Sequence, residues 1–278
     1  MKNGILIATF NDMSGSYTCQ RIIEECRNQD MGIVSVGIMD SLYADGLVCN
    51  ENLPSHYDYV INRYKLGHIK NILNSSAEKQ YNNISRFNEY VDKFNQYKLL
   101  SHYLSMPQSI LARASCSFEK ITDMVGLPFV SKGLDKSCGN EIFLIETKRQ
   151  YLNLIATYGS EKEWVFQKYV AESRGKDIRI FSLRGKILSS MIRQNDDDFR
   201  SNYALGSKLK KCEITHDMKT IAEMIYEITG LDFVGIDLLL GKNELLLCEI
   251  NVMPGLKGVE SISNTNIAKK CIELIKND

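Results

Sequence analysis

The sequence lacks any surplus of charge. Its 34 basic and 34 acidic side chains cancel over 278 residues, which removes the usual electrostatic case for a nucleic-acid or membrane partner. It also lacks a long apolar run, since nothing approaches the roughly 20 uninterrupted apolar residues of a membrane span. The opening "MKNGILIATFNDMSG" turns polar without a small-residue cleavage site, so it reads as a first strand and not as a signal peptide. Eight cysteines form no CxxC pair, and Cys19 and Cys26, seven apart, share a helix face where packing is the expected role. Reduced thiols in a cytoplasm are the expectation. The four histidines (His56, His68, His102 and His216) form neither HxH nor HExxH, which leaves zinc little support. GxxxxGK[ST] and GxGxxG are missing as well, and with them the common nucleotide loops.

What is present is ample apolar material, 44% of residues, enough for two or three small lobes. No internal repeat or low-complexity tract organises the chain, so periodicity must do so. "GILIATF", "GIVSVGIMD" and "YDYVINR" read as strands separated by a helix near residues 15–29, a small α/β lobe. Asp92 caps a helix whose apolar face runs through Phe94, Tyr97, Leu100 and Leu104, with a stop near Met106–Pro107. Beyond it come a strand at "SILARA", a helix over 117–125, a strand–loop–strand in "LPFVSKGLDKSCGNEIFLIET" and a helix over 148–158. The strand "EWVFQKYV", a hairpin around Arg184–Gly185, a polar loop "NDDDFRSNYALGSK" and a helix capped by Thr215 follow. This order predicts an α/β and α+β multi-lobe fold.

One stretch is chemically odd. "GIDLLLGKNELLLCEIN", residues 235–251, reads as two apolar strands around a turn, yet it carries Asp237, Glu249 and Asn251. Carboxylates in apolar strands cost free energy unless something neutralises them. A turn centred on Asn243 sets Asp237 opposite Glu249, with Asn251 two along on the same face; a two-residue turn at Lys242–Asn243 sets the acids on opposite faces. The first register gathers three hard oxygen donors suited to Mg²⁺ or Mn²⁺. The bland alternative pairs the acids with a nearby Lys or Arg. Lys132, ending "LPFVSK" before "GLDKSCGN", can reach phosphate oxygens. In "KDIRI", Asp177 and Arg179 share a face by alternation, as in any half-buried strand.

The order of parts carries more than any one of them. "DKFNQYKLL", "LPFVSKGLDKSCGN", "WVFQKYVAESRGKDIRIF", "DDDFRSN", "LDFVGIDLL" and "LLLCEINVMPGLKGVES", from about residue 92 to the end, resemble the ATP-grasp superfamily, and within it the RimK-type carboxylate–amine (amino acid) ligases. The resemblance implies an ATP-grasp fold behind an N-terminal α/β pre-ATP-grasp domain. The lobes are expected at 1–90 (N-terminal), 91–112 (linker helix and strand), 113–163 (central) and 164–278 (C-terminal, with the metal).

It also implies roles by position. Lys93 and Lys132 match the lysines on the nucleotide's phosphates, and Gln167, Lys168, Tyr169 and Val170 match the segment against which adenine lies. Asp177 matches a nucleotide-binding acid towards the ribose, and Arg200, Ser201 and Asn202 match loop residues near ATP. Asp237, Glu249 and Asn251 match the ligands of two Mg²⁺ or Mn²⁺ ions. Arg179, with Arg193 as second candidate, is assigned to the transferred phosphoryl group or the acyl oxygen. The implied reaction joins a carboxylate substrate to an amine acceptor at the expense of ATP, through an acylphosphate; a nucleotide-binding regulator without turnover is the alternative. Relatives commonly self-associate, so a dimer or tetramer is expected.

Two positions depart from the family's pattern, Lys168 where relatives are often acidic and Glu141 where a glycine is usual. No thiol needs a catalytic role, Cys138 in the loop included. Asp196, Asp197 and Asp198 form either a docking patch for a cationic amine or a solvated loop. Lys257 either favours an acidic donor or is simply exposed.

Overall fold

The computed structural model of the protein describes residues 2–134, 141–201 and 206–278. The expected site residue Asn202 and the loop cysteine Cys138 lie outside these residues.

The chain opens with β1 (Asn3–Ala8), α1 (Tyr17–Asn28) and β2 (Gly32–Gly37), then a small hairpin of β3 (Leu42–Ala44) and β4 (Leu47–Cys49). β5 (Tyr59–Asn62), α2 (His68–Ser75), β6 (Lys79–Tyr81) and α3 (Ile84–Tyr90) complete the first lobe. Its parallel sheet runs in the order β2-β1-β5-β6, and the central strands β1 and β5 are nearly continuously apolar and buried, as expected where both faces are covered. Ser16 starts α1 by accepting from the backbone N–H of Cys19. Cys19 and Cys26 are buried beneath that helix, as their spacing predicts.

α4 (Lys93–Leu100) leads into the second lobe: β7 (Ser109–Arg113), α5 (Phe118–Val125), β8 (Phe129–Gly133), β9 (Ile142–Ile145), α6 (Lys148–Tyr158) and β10 (Glu163–Lys168). Asp92 caps α4 as expected, taking the Asn95 N–H at 2.8 Å. The helix ends at Leu100, short of the expected stop, and its buried side runs through Gln96 and Leu100 while Phe94 and Tyr97 are half-buried. The second sheet is antiparallel, ordered β7-β10-β8-β9. β10 lies in its middle, and Trp164 and Phe166 join Phe129 and Tyr151 in its core. The boundary expected at 163/164 therefore falls inside a sheet, and β7, expected in the linker, is its edge strand. The physical reason is the apolar run Trp164–Phe166, which is fully buried in this lobe.

A short 3₁₀ turn (Ala171–Ser173) joins this lobe to the third: β11 (Lys176–Leu183), β12 (Lys186–Gln194), β13 (Lys208–Lys211), α7 (His216–Thr229), β14 (Phe233–Leu240), β15 (Leu245–Asn251), α8 (Lys257–Ile262) and α9 (Ile267–Asn277). The sheet order is β13-β12-β11-β14-β15, all antiparallel. β13 and α8 come from stretches to which the sequence pattern assigned no element, apart from Lys208 at the end of the expected loop. α7 packs Met218, Ala222 and Ile225 on one face of the sheet, and Gly230 ends it in the left-handed conformation that glycine adopts without steric cost. α9 crosses back to α1, with Ile272 and Ile275 in the core of the first lobe.

Two β-bulges decide which residues meet in the third sheet. From the tight turn at Arg184–Gly185, Leu183 pairs Lys186 and Ser182 pairs Ile187, but Phe181 pairs Ser189, leaving Leu188 as an extra residue. Asp177 therefore faces Arg193. In the second hairpin Leu240 pairs Leu245 and Leu238 pairs Leu247, yet Asp237 pairs Glu249, with Cys248 extra. The predicted pairing of the two acids is present, produced by a longer turn and a bulge, not by a turn centred on Asn243.

Candidate active site

A cleft of about 500 Å³ is bounded by the second and third sheets, by α4 and by the segment following β5. Among the described residues, every expected site position lines it: Lys93, Lys132, Gln167, Lys168, Tyr169, Val170, Asp177, Arg179, Arg193, Arg200, Ser201, Asp237, Glu249 and Asn251. Arg63, Lys65, Gln96, Lys176 and Cys248 line it too, and sequence reading passed over them. Arg63 and Lys65 follow the C-terminal end of a parallel strand, a place where ligand groups gather in α/β sheets, and that signal could have found them.

Nine cationic side chains (Arg63, Lys65, Lys93, Lys132, Lys168, Lys176, Arg179, Arg193 and Arg200) face three acids (Asp177, Asp237 and Glu249) along this cleft. In a chain with no net charge, such an imbalance is local, and it suits a polyanion. Val130, Ile142, Val170 and Leu239 add apolar wall. The Tyr169 hydroxyl is buried there without a hydrogen-bond partner among the described residues.

The charges are organised by the strand register. Arg193 donates Nε to Asp177 Oδ1 at 2.7 Å and Nη2 to the other oxygen, and it reaches Asp237 Oδ2 at 3.1 Å. Arg179, directly opposite Asp237 across β11 and β14, donates Nε to one carboxylate oxygen and Nη2 to the other at 2.6 Å. Asp177, expected at a ribose, thus sits at 5% exposure against a guanidinium. Burial holds its carboxyl above the ordinary range despite Arg193. At Asp237 burial pushes the same way, but the two guanidiniums outweigh it and the carboxyl stays below. The arginine partners weighed from the sequence for these acids are therefore real for Asp237.

Glu249 makes no hydrogen bond or ion pair among the described residues, and the Asn251 amide oxygen accepts only the Met253 N–H at 3.0 Å. Two carboxylates paired across strands and an amide two residues along fit a hard divalent cation in donor type. Gln96 fixes this strand: it donates to Ile250 O at 2.9 Å and accepts from Ile250 N at 2.8 Å, between the two ligand positions. Lys132, 7% exposed, reaches Cys248 Sγ at 3.4 Å. Burial opposes its charge, but Cys248, Glu249 and Asp237 hold its pKa above the usual lysine value. Burial pushes the Cys248 thiol up to about 11.

The two departures leave the cleft intact. Lys168 is exposed, and its N–H bonds Gln108 O at 2.8 Å. Glu141 adopts a positive φ of 57°, the conformation that favours the glycine expected there, and its carboxylate is tied to Lys162 at 2.6 Å. The acidic loop is largely neutralised from within, Asp196 by Lys208 at 2.8 Å and Asp198 by Arg200 at 2.6 Å. Lys257 is exposed and does not line the cleft.

A family model described as a RimK-like ATP-grasp domain matches residues 91–275. The chain belongs to that family. A probable alpha-L-glutamate ligase of Maridesulfovibrio salexigens is 31% identical over 189 residues, 66% of this chain and 63% of that protein; the chain thus spans under two thirds of the curated relatives it matches. The ATP-grasp ligase PsnB, solved with a minimal precursor, superposes with a TM-score of 0.75 at 15% identity, over 100% of this chain and 99% of that one. D-alanine–D-alanine ligase from Bacillus anthracis, solved with ATP, gives 0.72 at 15% identity, over 100% and 96%. PsnB has also been solved with Mg and ADP. These two structures establish the ATP-grasp fold. No helix among the described residues is long and apolar enough to cross a membrane.

Proposed function

We propose that the protein is an ATP-dependent carboxylate–amine ligase, forming an amide bond through an acylphosphate. The observation that carries this reading is the conjunction, in one cleft, of a cationic excess with two paired carboxylates and an amide oxygen. Relatives named as glutamate ligases and a fold shared with ATP-bound and peptide-bound ligases support it.

The obstacle in the first step is charge, because an anionic substrate carboxylate must approach a triphosphate. Lys93, Lys132 and Arg179 lower that barrier by neutralising phosphate oxygens and holding the reactants in line. The carboxylate oxygen bonds to the γ-phosphorus as the bridging P–O bond to ADP breaks. The amine then attacks the acyl carbon, inorganic phosphate leaves, and the amine's proton passes to solvent. Gln167–Val170 and the apolar wall receive the adenine. Asp237, Glu249 and Asn251 would hold two Mg²⁺ or Mn²⁺ ions, which when bound supply further charge neutralisation at the phosphates. No protein nucleophile is involved.

A second reading, a nucleotide-binding regulator without turnover, is favoured by one observation: Asp237 is already neutralised by Arg179 and Arg193 and so does not require a cation. ADP release from ATP and Mg²⁺ against pooled amino acids, with mass spectrometry for condensed products, separates the two. Release that depends on one pool and is lost in Glu249→Ala supports the ligase. Tight ATP binding without release in any pool, peptide acceptors included, supports the regulator.

A further inference from the structure

We propose that Arg179 guards the cation site: it occupies the Asp237 carboxylate until a phosphate-bearing ligand draws it away, so that divalent cation and polyphosphate load together. The inference rests on the reading that Asp237 receives the cation, and it adds a coupling which that reading does not contain.

The geometry singles out Arg179. Its fork spans both oxygens of Asp237, with Nη2 at 2.6 Å, and Arg193 adds a third donor at 3.1 Å. A carboxylate so occupied can accept a divalent cation only by bringing it against two guanidiniums in a site where Asp237 is 3% exposed, and repulsion between buried like charges is poorly screened. One arginine must give way, and the two are not equivalent. Arg193 is 4% exposed and holds Asp177 through two hydrogen bonds, so its departure would leave a buried acid alone. Arg179 has Asp237 as its one acidic partner among the described residues, its Nη1 makes no hydrogen bond there, and it lines the open cleft. When Arg179 leaves, Asp237 keeps Arg193 and is not orphaned. Glu249, on the facing strand and without an ion pair among the described residues, is available to the same cation.

Linkage then demands reciprocity: whatever draws Arg179 off Asp237 tightens cation binding, and the cation in turn frees Arg179 for phosphate. Without nucleotide the cation meets a blocked ligand and binds weakly.

The test is Mn²⁺ binding to the full chain without nucleotide, followed by the electron paramagnetic resonance signal of free Mn²⁺. Arg179→Met should tighten Mn²⁺ by about 10-fold or more, within the usual range for coupled sites, and Arg179→Lys, which cannot span both oxygens, should fall between it and the wild type. Binding of a fluorescent ATP analogue in EDTA should weaken in Arg179→Met, because a phosphate partner is gone. Mn²⁺ affinity that is unchanged or lower in both variants overturns the guard while leaving the cation site standing. Absence of Mn²⁺ binding in every variant, with and without the analogue, overturns the site itself and the guard with it.

Discussion

Replacing Arg193 with leucine isolates a buried acid, and the size of the effect follows from the geometry. Asp177, Arg193 and Asp237 are 5%, 4% and 3% exposed. Asp237 keeps Arg179 in the variant, so the damage falls on Asp177, which has no other ion pair among the described residues. Removing one partner of a buried pair costs about 3–5 kcal/mol, a large part of the roughly 5–15 kcal/mol that holds a domain folded. The cost depends on pH, and its sign is fixed. Burial already holds Asp177 above the ordinary carboxylate value, and loss of the guanidinium raises it further. The folded variant then keeps a proton that the unfolded chain releases, so stability falls as pH rises from the unfolded value towards the folded one. The slope is at most about 1.4 kcal/mol per pH unit. Below pH ~4, where Asp177 is protonated in both states, the charge penalty disappears. Urea unfolding followed by circular dichroism at pH 4.5 and 7.5 measures this; the one tryptophan, Trp164, lies in the second sheet and reports on the wrong lobe. Asp177→Leu with Arg193→Leu should recover most of the loss at pH 7.5. A loss under about 1 kcal/mol, equal at both pH values, would refute the view that this pair is what makes Asp177 tolerable in the sheet.

Gln96→Leu should cost about 1–3 kcal/mol by leaving the Ile250 N–H unsatisfied, and should weaken Mn²⁺ binding because Ile250 separates Glu249 from Asn251; denaturation and Mn²⁺ titration read the two effects. Lys70, buried against Lys65 O at 3.0 Å and Asn88 Oδ1 at 2.7 Å, has its pKa lowered by burial to about 8. Between that value and the unfolded ~10.4 the unfolded chain binds more protons, so stability should rise with pH across this window; Lys70→Met should remove the rise in thermal melts taken from pH 7.5 to 10. Cys248, half-buried in the cleft wall with its thiol pushed up to about 11, should react slowly with iodoacetamide at pH 8, faster at pH 10, and be protected by ATP, as peptide mass spectrometry will show; fast alkylation at pH 8 would contradict the raised thiol.

How much of this was legible in the sequence divides along one line. Elements announced by local chemistry were readable: Asp92 and Thr215 begin helices because each side chain accepts an orphan N–H three residues on. The residues expected at the site came from the ordered motifs, and the described ones converge on one cleft, together with Arg63, Lys65 and Gln96, to which the motifs gave no role. What stayed hidden was who pairs with whom, because pairing depends on register, and register here depends on two extra residues that no hydrophobic pattern marks. Without the bulge at Leu188, the turn at Arg184–Gly185 would set Asp177 against Ile192; without Cys248 in excess, a register running from Leu240–Leu245 would set Asp237 against that cysteine and turn Glu249 to the other face. Each bulge moves a strand by one residue, and each brings a charge onto the face of the cleft. Bulges gather near active sites for this reason. The acids of β14 and β15, costly in apolar strands, are made tolerable by the same two irregularities that place arginine on one of them and leave the other open.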